Sequence, residues 1–102
     1  MYERTILLAF IRVHILHHAW HDTNGFYGAK MIQELKSHGY ELSPGTLYPL
    51  LHSMEKNKLL ISTTQTIKGK QRKLYSITTK GKDTLKHLKH FIKELSEEVS
   101  TS

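Results

Sequence analysis

The chain has 102 residues, 38% of them hydrophobic, which suits one globular domain with a modest core and excludes a disordered chain. Fifteen Lys and Arg against nine Asp and Glu give a formal net charge of +6, which favours a polyanionic partner, most simply nucleic acid. There is no cysteine, which excludes disulfides, thiol catalysis and cysteine metal sites and fits a cytoplasmic protein.

The first predicted helix runs from about Tyr2 to Trp20. Its apolar residues, among them Ile6, Leu7, Phe10, Ile11, Val13 and Ile15, go most of the way round, leaving Arg4, Thr5 and Arg12 as a polar strip. A helix apolar on most sides is buried on most sides, and a chain this short needs a second copy to cover it. No stretch is apolar enough to span a bilayer. The run 5–16 is interrupted by Arg12 and His14 and lacks a small-residue cleavage site, so it does not read as a signal peptide.

Of the eight histidines, His14, His17, His18 and His21 share one arc of this helix at i, i+3, i+4 and i+7. Imidazoles at that spacing suit a transition metal, so a metal-responsive protein is one reading. The stronger reading makes them half-buried interface residues, because the arc continues the stripe of Ile6, Leu7 and Phe10 and has Asp22 as its one nearby carboxylate. No metal site is therefore assigned.

Residues 22–28 read as a turn around Asn24-Gly25. A second helix follows, roughly Tyr27 to His38, with Gly28, Met31, Ile32 and Leu35 on its buried face and Gly28 allowing a neighbouring helix close. Gly39 stops it. Ser43 then offers an N-cap oxygen and Pro44 a first helical residue, opening a third helix over about 44–57. Leu47, Leu50, Leu51 and Met54 form its inner face. The outer face carries Gly45, Tyr48, Pro49, His52 and Lys56, flanked by Thr46 and Ser53, with Ser43 at the leading end. That face is rich in hydrogen-bonding groups and poor in aliphatic side chains, as the floor of a DNA major groove requires. Pro49 withholds a hydrogen bond from the Gly45 carbonyl, which predicts a slight bend.

Leu59 to Thr66 reads as a strand, Lys68-Gly69-Lys70 as a turn, and Arg72 to Ile77 as the returning strand. The tip gathers Lys68, Lys70, Arg72 and Lys73 with no acid among them, which suits phosphate contact, with Arg72 also a candidate for the minor groove. Thr78 or Thr79 caps a last helix running to about Val99. There Leu85, Leu88, Ile92, Leu95 and Val99 keep a heptad seam, widened by Phe91, long enough to clasp a dimer with Ile6, Phe10 and Val13 of the first helix. Lysines crowd the first half of this helix and Glu94, Glu97 and Glu98 the end. That order opposes the helix dipole but would pair two antiparallel copies.

The stretch GYELSPGTLYPLLHSMEKNKLL resembles the signature of the PadR family of bacterial and archaeal transcriptional regulators. The resemblance extends back through HILHHA and GAKMIQELKSHGY and forward into RKLYSITTKGKDTL, in order and over most of the chain. It implies a mainly α (α+β) fold: a winged helix-turn-helix over 1–78, wing about 59–77, and a dimerisation helix over 79–99 in the same compact unit. It also implies a homodimer joined through its last helix that represses or tunes nearby genes, and a two-fold dimer predicts an inverted-repeat operator in double-stranded DNA. It implies no cofactor and leaves a small-molecule effector open. Drug-binding members line a central cavity with aromatics, of which the last helix here offers only Phe91. No phosphate loop, zinc-protease motif or nucleophile elbow is present, so no enzyme is expected. Alternatives are the metal-responsive version using the histidine arc, and a winged helix used for protein contact without specific DNA binding.

Overall fold

The computed structural model describes residues 2–101. Helix α1 (Tyr2–His21) leads into a short strand β1 (Phe26–Tyr27) and helix α2 (Gly28–Ser37). Helix α3 (Pro44–Lys56), strands β2 (Leu60–Ile67) and β3 (Lys70–Ile77), and helix α4 (Thr79–Ser100) complete the chain. The strands form one antiparallel sheet in the order β1-β3-β2, with Phe26 opposite Tyr75 and Ser62 opposite Tyr75 on its other side.

β1 corrects the sequence reading, which had a two-stranded hairpin and started the second helix at Tyr27. Two residues are too few to show a period-2 pattern, and they follow directly on Gly25, whose φ is +87. What holds β1 is non-local: Phe26 is buried and stacks on Tyr75, ring centroids 5.6 Å apart.

Both ends of the helix-turn-helix close with the same device. At the end of α2, Gly39 (φ +94) and Tyr40 donate to the carbonyls of Lys36 and Leu35. At the end of α3, Lys58 (φ +66) and Leu59 donate to Glu55 and Met54. Each is a Schellman motif, with an apolar residue on either side of the turn. Glycine takes the left-handed position in one and a lysine takes it in the other.

Leu47, Leu51, Met54, Met31, Leu35 and Ile15 of the helices are buried in one core with Phe26, Leu60 and Tyr75 of the sheet. The inner face read for α3 is therefore correct. Ile32 packs on the edge of this core.

α4 is anchored at its start. Thr78, not Thr79, is the N-cap, its Oγ1 accepting from the Gly81 N–H at 2.9 Å and donating to the Lys58 carbonyl at 2.6 Å. Gly81 is buried against the Leu59 carbonyl, and a Cβ there would collide with that backbone oxygen and with Ile77 Cγ1. Gly81→Ala should therefore destabilise the protein by about 1–3 kcal/mol, as overpacking against fixed backbone does. Chemical denaturation measures it, and an unchanged midpoint would show that α4 is free to shift.

Candidate nucleic-acid interface

The outer face of α3 stands open. Ser43, Gly45, Tyr48, Pro49, His52 and Lys56 are exposed, and Thr46 and Ser53 are half-buried. Pro49 lies inside α3 without ending it. Ser43 is the N-cap residue by backbone geometry, but its side chain makes no cap hydrogen bond; its Oγ lies 3.4 Å from Thr46 Oγ1. The hydroxyl is thus turned toward the outer flank instead of the helix N–H groups.

Tyr48 is 44% exposed, and its ring covers Gly28: a Cβ on Gly28 would come within 2.6 Å of the Tyr48 ring and hydroxyl. The space at Gly28 therefore serves a tyrosine side chain and not a close helix approach, which corrects the reading of that glycine. The contact seats the Tyr48 ring edge and hydroxyl against Gly28 at the start of α2. Beside it lies a cleft of ≈ 450 Å³ whose lining includes Tyr27, Gly28, Tyr48, Lys70, Arg72 and Lys73. Two further contacts tie the surrounding elements together. Glu55 Oε2 accepts from the Ser62 N–H and Oγ at 3.1 and 2.7 Å, tying α3 to β2. Tyr27 donates through its hydroxyl to Gln65 Oε1 at 2.6 Å, tying β1 across β3 to β2. None of Glu55, Tyr27 and Gln65 stands out in sequence, because each acts only across elements.

The wing tip is exposed and cationic. Among the described residues the ion pairs are Lys30–Asp22 and His18–Glu34, so Lys68, Lys70, Arg72 and Lys73 have no carboxylate partner. The turn holds only Lys68-Gly69, since Lys70 already pairs with Ile67, and β3 starts two residues earlier than the sequence reading has it. Both turn residues have positive φ, +50 and +78, as a type I′ hairpin turn requires. Lys80 and Lys82, in the first turn of α4, are engaged within the subunit. Lys80 Nζ donates to the Asn57 carbonyl at 2.9 Å, and Lys82, Lys86 and Lys89 gather over the Trp20 ring at 5.4–5.7 Å.

A second surface is apolar. Ile6, Phe10, Phe91, Ile92, Leu95 and Val99 are exposed, and Val13 and Leu88 are half-buried. Leu85 departs from the seam read in the sequence: it is 3% exposed and belongs to the core of its own subunit. Between α1 and α4 runs a groove of ≈ 680 Å³, lined by Phe10, Val13, Ile92, Leu95 and Val99 among others.

The histidine arc is joined by a fifth ring. His17 meets His21 and His18 edge to face, centroids 4.5 and 5.2 Å apart. His14 and His18 also stack on His38 from the end of α2, a residue absent from the arc read in sequence. Burial lowers the pKa of His14, His17 and His18 and neighbouring imidazoles lower it further, while Glu34 opposes this at His18.

The family described as "Transcriptional regulator PadR-like family" matches residues 15–87, which span the helix-turn-helix, the wing and the start of α4. The chain belongs to that family. It is 44% identical over 91 residues to the transcriptional regulator Rv3488 of Mycobacterium tuberculosis, covering 89% of this chain and 83% of that protein. Among solved structures, it is similar to a PadR-like transcriptional regulator from Bacillus cereus, at 31% identity and TM-score 0.83 over 95% of this chain and 94% of that one. A PadR-like transcription factor from Bacteroides fragilis superposes with TM-score 0.82 at 29% identity, over 98% and 96% of the two chains. The fold is the family's winged helix, and this PadR-family protein is a transcriptional regulator. Among its described residues, no helix is long and apolar enough to cross a membrane.

Lys68 occupies a left-handed position that costs a lysine more than an asparagine. Lys68→Asn should raise stability, by up to about 1 kcal/mol, if hairpin strain is relieved. Thermal unfolding reads the shift, and a lower melting temperature would show that Lys68 makes a stabilising contact at the tip.

Proposed function

We propose that the protein is a homodimeric, sequence-specific DNA-binding repressor acting in the cytoplasm. In this reading α3 enters the major groove and the wing lies on the flanking backbone or minor groove. Residues 1–78 read DNA and 79–99 join the two copies. The observation that carries this is a single cleft whose lining includes both Tyr48 and the cations Lys70, Arg72 and Lys73, which have no carboxylate partner. A hydrogen-bonding face beside a cationic strand, both exposed, matches a base-reading element beside a phosphate-gripping one. Gly45 supports it further. It lies in the first turn of α3, where a Cβ would meet Ser43 Oγ at an ordinary 3.6 Å, so alanine would fit and favour the helix, and a close-approaching ligand explains glycine better than packing does. A two-fold dimer presents two such helices about 34 Å apart, so the operator is an inverted repeat with half-site centres near one helical turn.

The test compares variants on the inverted repeat from the flanking DNA and on random DNA. Tyr48→Ala should lose about 1–3 kcal/mol on the operator and far less on random DNA. Replacing Lys68, Lys70 and Arg72 with alanine should weaken both alike and make the slope of log K against log salt shallower by roughly one per lost phosphate contact. Equal losses on both DNAs for Tyr48→Ala would make it a backbone contact. Absence of any operator preference in the wild-type protein would leave a winged helix used for protein contact.

The dimer reading rests on the open α1–α4 groove, because exposed apolar patches of this kind mark interfaces. Ile92 is 44% exposed in the single subunit, so a lysine there does not disturb the subunit's own core. Ile92→Lys should give a folded monomer, since burying an unpaired ammonium between copies costs several kcal/mol. Sedimentation velocity decides it, and a stable dimer of Ile92→Lys would move the interface elsewhere.

A further inference from the structure

His14 and His18 stand one turn apart on α1, and His38 is the C-cap residue of α2. One ring nitrogen from each lies within 4.8 Å of the other two. The His38 ring is 4.9 Å from His14 and 5.1 Å from His18, centroid to centroid. A tetrahedral ion with imidazole ligands at about 2.0–2.1 Å sets its nitrogens roughly 3.3 Å apart, so side-chain rotations that draw these nitrogens in by an ångström or so complete the triangle. The donors are all imidazole, a set that suits zinc, nickel or copper better than calcium or magnesium.

His18 supplies the second observation. Its Nδ1 faces Glu34, 3.9 Å from Oε2, and its Nε2 is buried with no hydrogen-bond partner. Buried polar atoms are normally bonded, and an orphaned one needs a cause. A carboxylate behind one ring nitrogen leaves the other as a lone-pair donor, which is how metal-binding histidines are oriented. The arrangement needs both helices: His17 and His21, which share α1 with His14 and His18, have no donor from α2 in the cluster.

We propose that His14, His18 and His38 form a binding site for a divalent transition metal of the Zn²⁺ or Ni²⁺ class, with Glu34 orienting His18. The ion ties α1 to the end of α2, immediately before the turn into α3. The site is independent of the DNA-binding reading, since it is measured on DNA-free protein.

Untagged protein titrated with Zn²⁺, and separately Ni²⁺, against a chromophoric chelator should bind one ion per chain. His38 is exposed at the end of its helix, so His38→Ala should keep the metal-free unfolding curve and lose the ion. Glu34→Gln should bind about 10–100-fold more weakly. His17→Ala and His21→Ala should bind as the wild type does. In the wild-type protein, Zn²⁺ should shift the imidazole NMR signals of His14, His18 and His38 and leave those of His52, His87 and His90 in place, a result that needs no variant to fold. One ion per chain retained by His38→Ala, loss of the ion in His17→Ala or His21→Ala, or unshifted His38 signals at saturating Zn²⁺ would each overturn the proposal.

Discussion

Burial of Leu47, Leu50, Leu51 and Met54 is the constraint on which the rest of the architecture depends. These four side chains close the core over Met31 and Leu35 of α2, and no other face of α3 has the aliphatic surface to do so. Once they are inside, Tyr48 and His52 are outside, and the direction of the open face is fixed by packing alone. The Glu55–Ser62 hydrogen bonds then hold β2 to the end of the same helix, so the wing is positioned relative to that face. The open face is thus a by-product of core formation, and its chemistry is free to be set by what it touches.

The features legible in the sequence are those carried by local spacing. The two faces of α3, the Gly39 stop, the cationic tip and the helical seam of α4 each follow from residues a few positions apart. What the sequence hides is carried across elements. β1 exists because Phe26 reaches Tyr75, some fifty positions away, and two residues carry no period of their own. Gly28 is there to seat the Tyr48 ring, Gly81 to admit a backbone carbonyl, and neither use is readable from the flanking residues. Leu85 fits the heptad by spacing, yet it sits one turn too close to the anchored start of α4 and is taken into the subunit core.

The histidines follow the same rule. Helical spacing places His14, His17, His18 and His21 on one arc, as their positions dictate. Which of them meet a second helix is decided by α2, whose end brings His38 to His14 and His18, while His17 keeps its ring contacts within α1. The Schellman turn at Gly39 fixes the direction of the chain directly after His38, so a stop signal legible in the sequence also sets the histidine triangle that is not.

The charge order of α4 has its cause in α1. Three of its lysines, Lys82, Lys86 and Lys89, spaced four and three apart, converge on Trp20, and a cation over an indole face is stabilised at short range wherever it falls along a helix dipole. The dipole cost, a few tenths of a kcal/mol, falls within the first turn, and at Lys82 it is offset by the Trp20 ring. The acids have no such partner in the described subunit: Glu94, Glu97 and Glu98 lie beyond the last packed turn, beside exposed Leu95 and Val99. Intrachain contacts therefore account for the lysine half and leave the glutamate half without a cause inside one subunit. In the proposed dimer those acids flank the apolar seam. Charges that flank an apolar helical seam set the orientation in which two copies pair and contribute less to how tightly they hold.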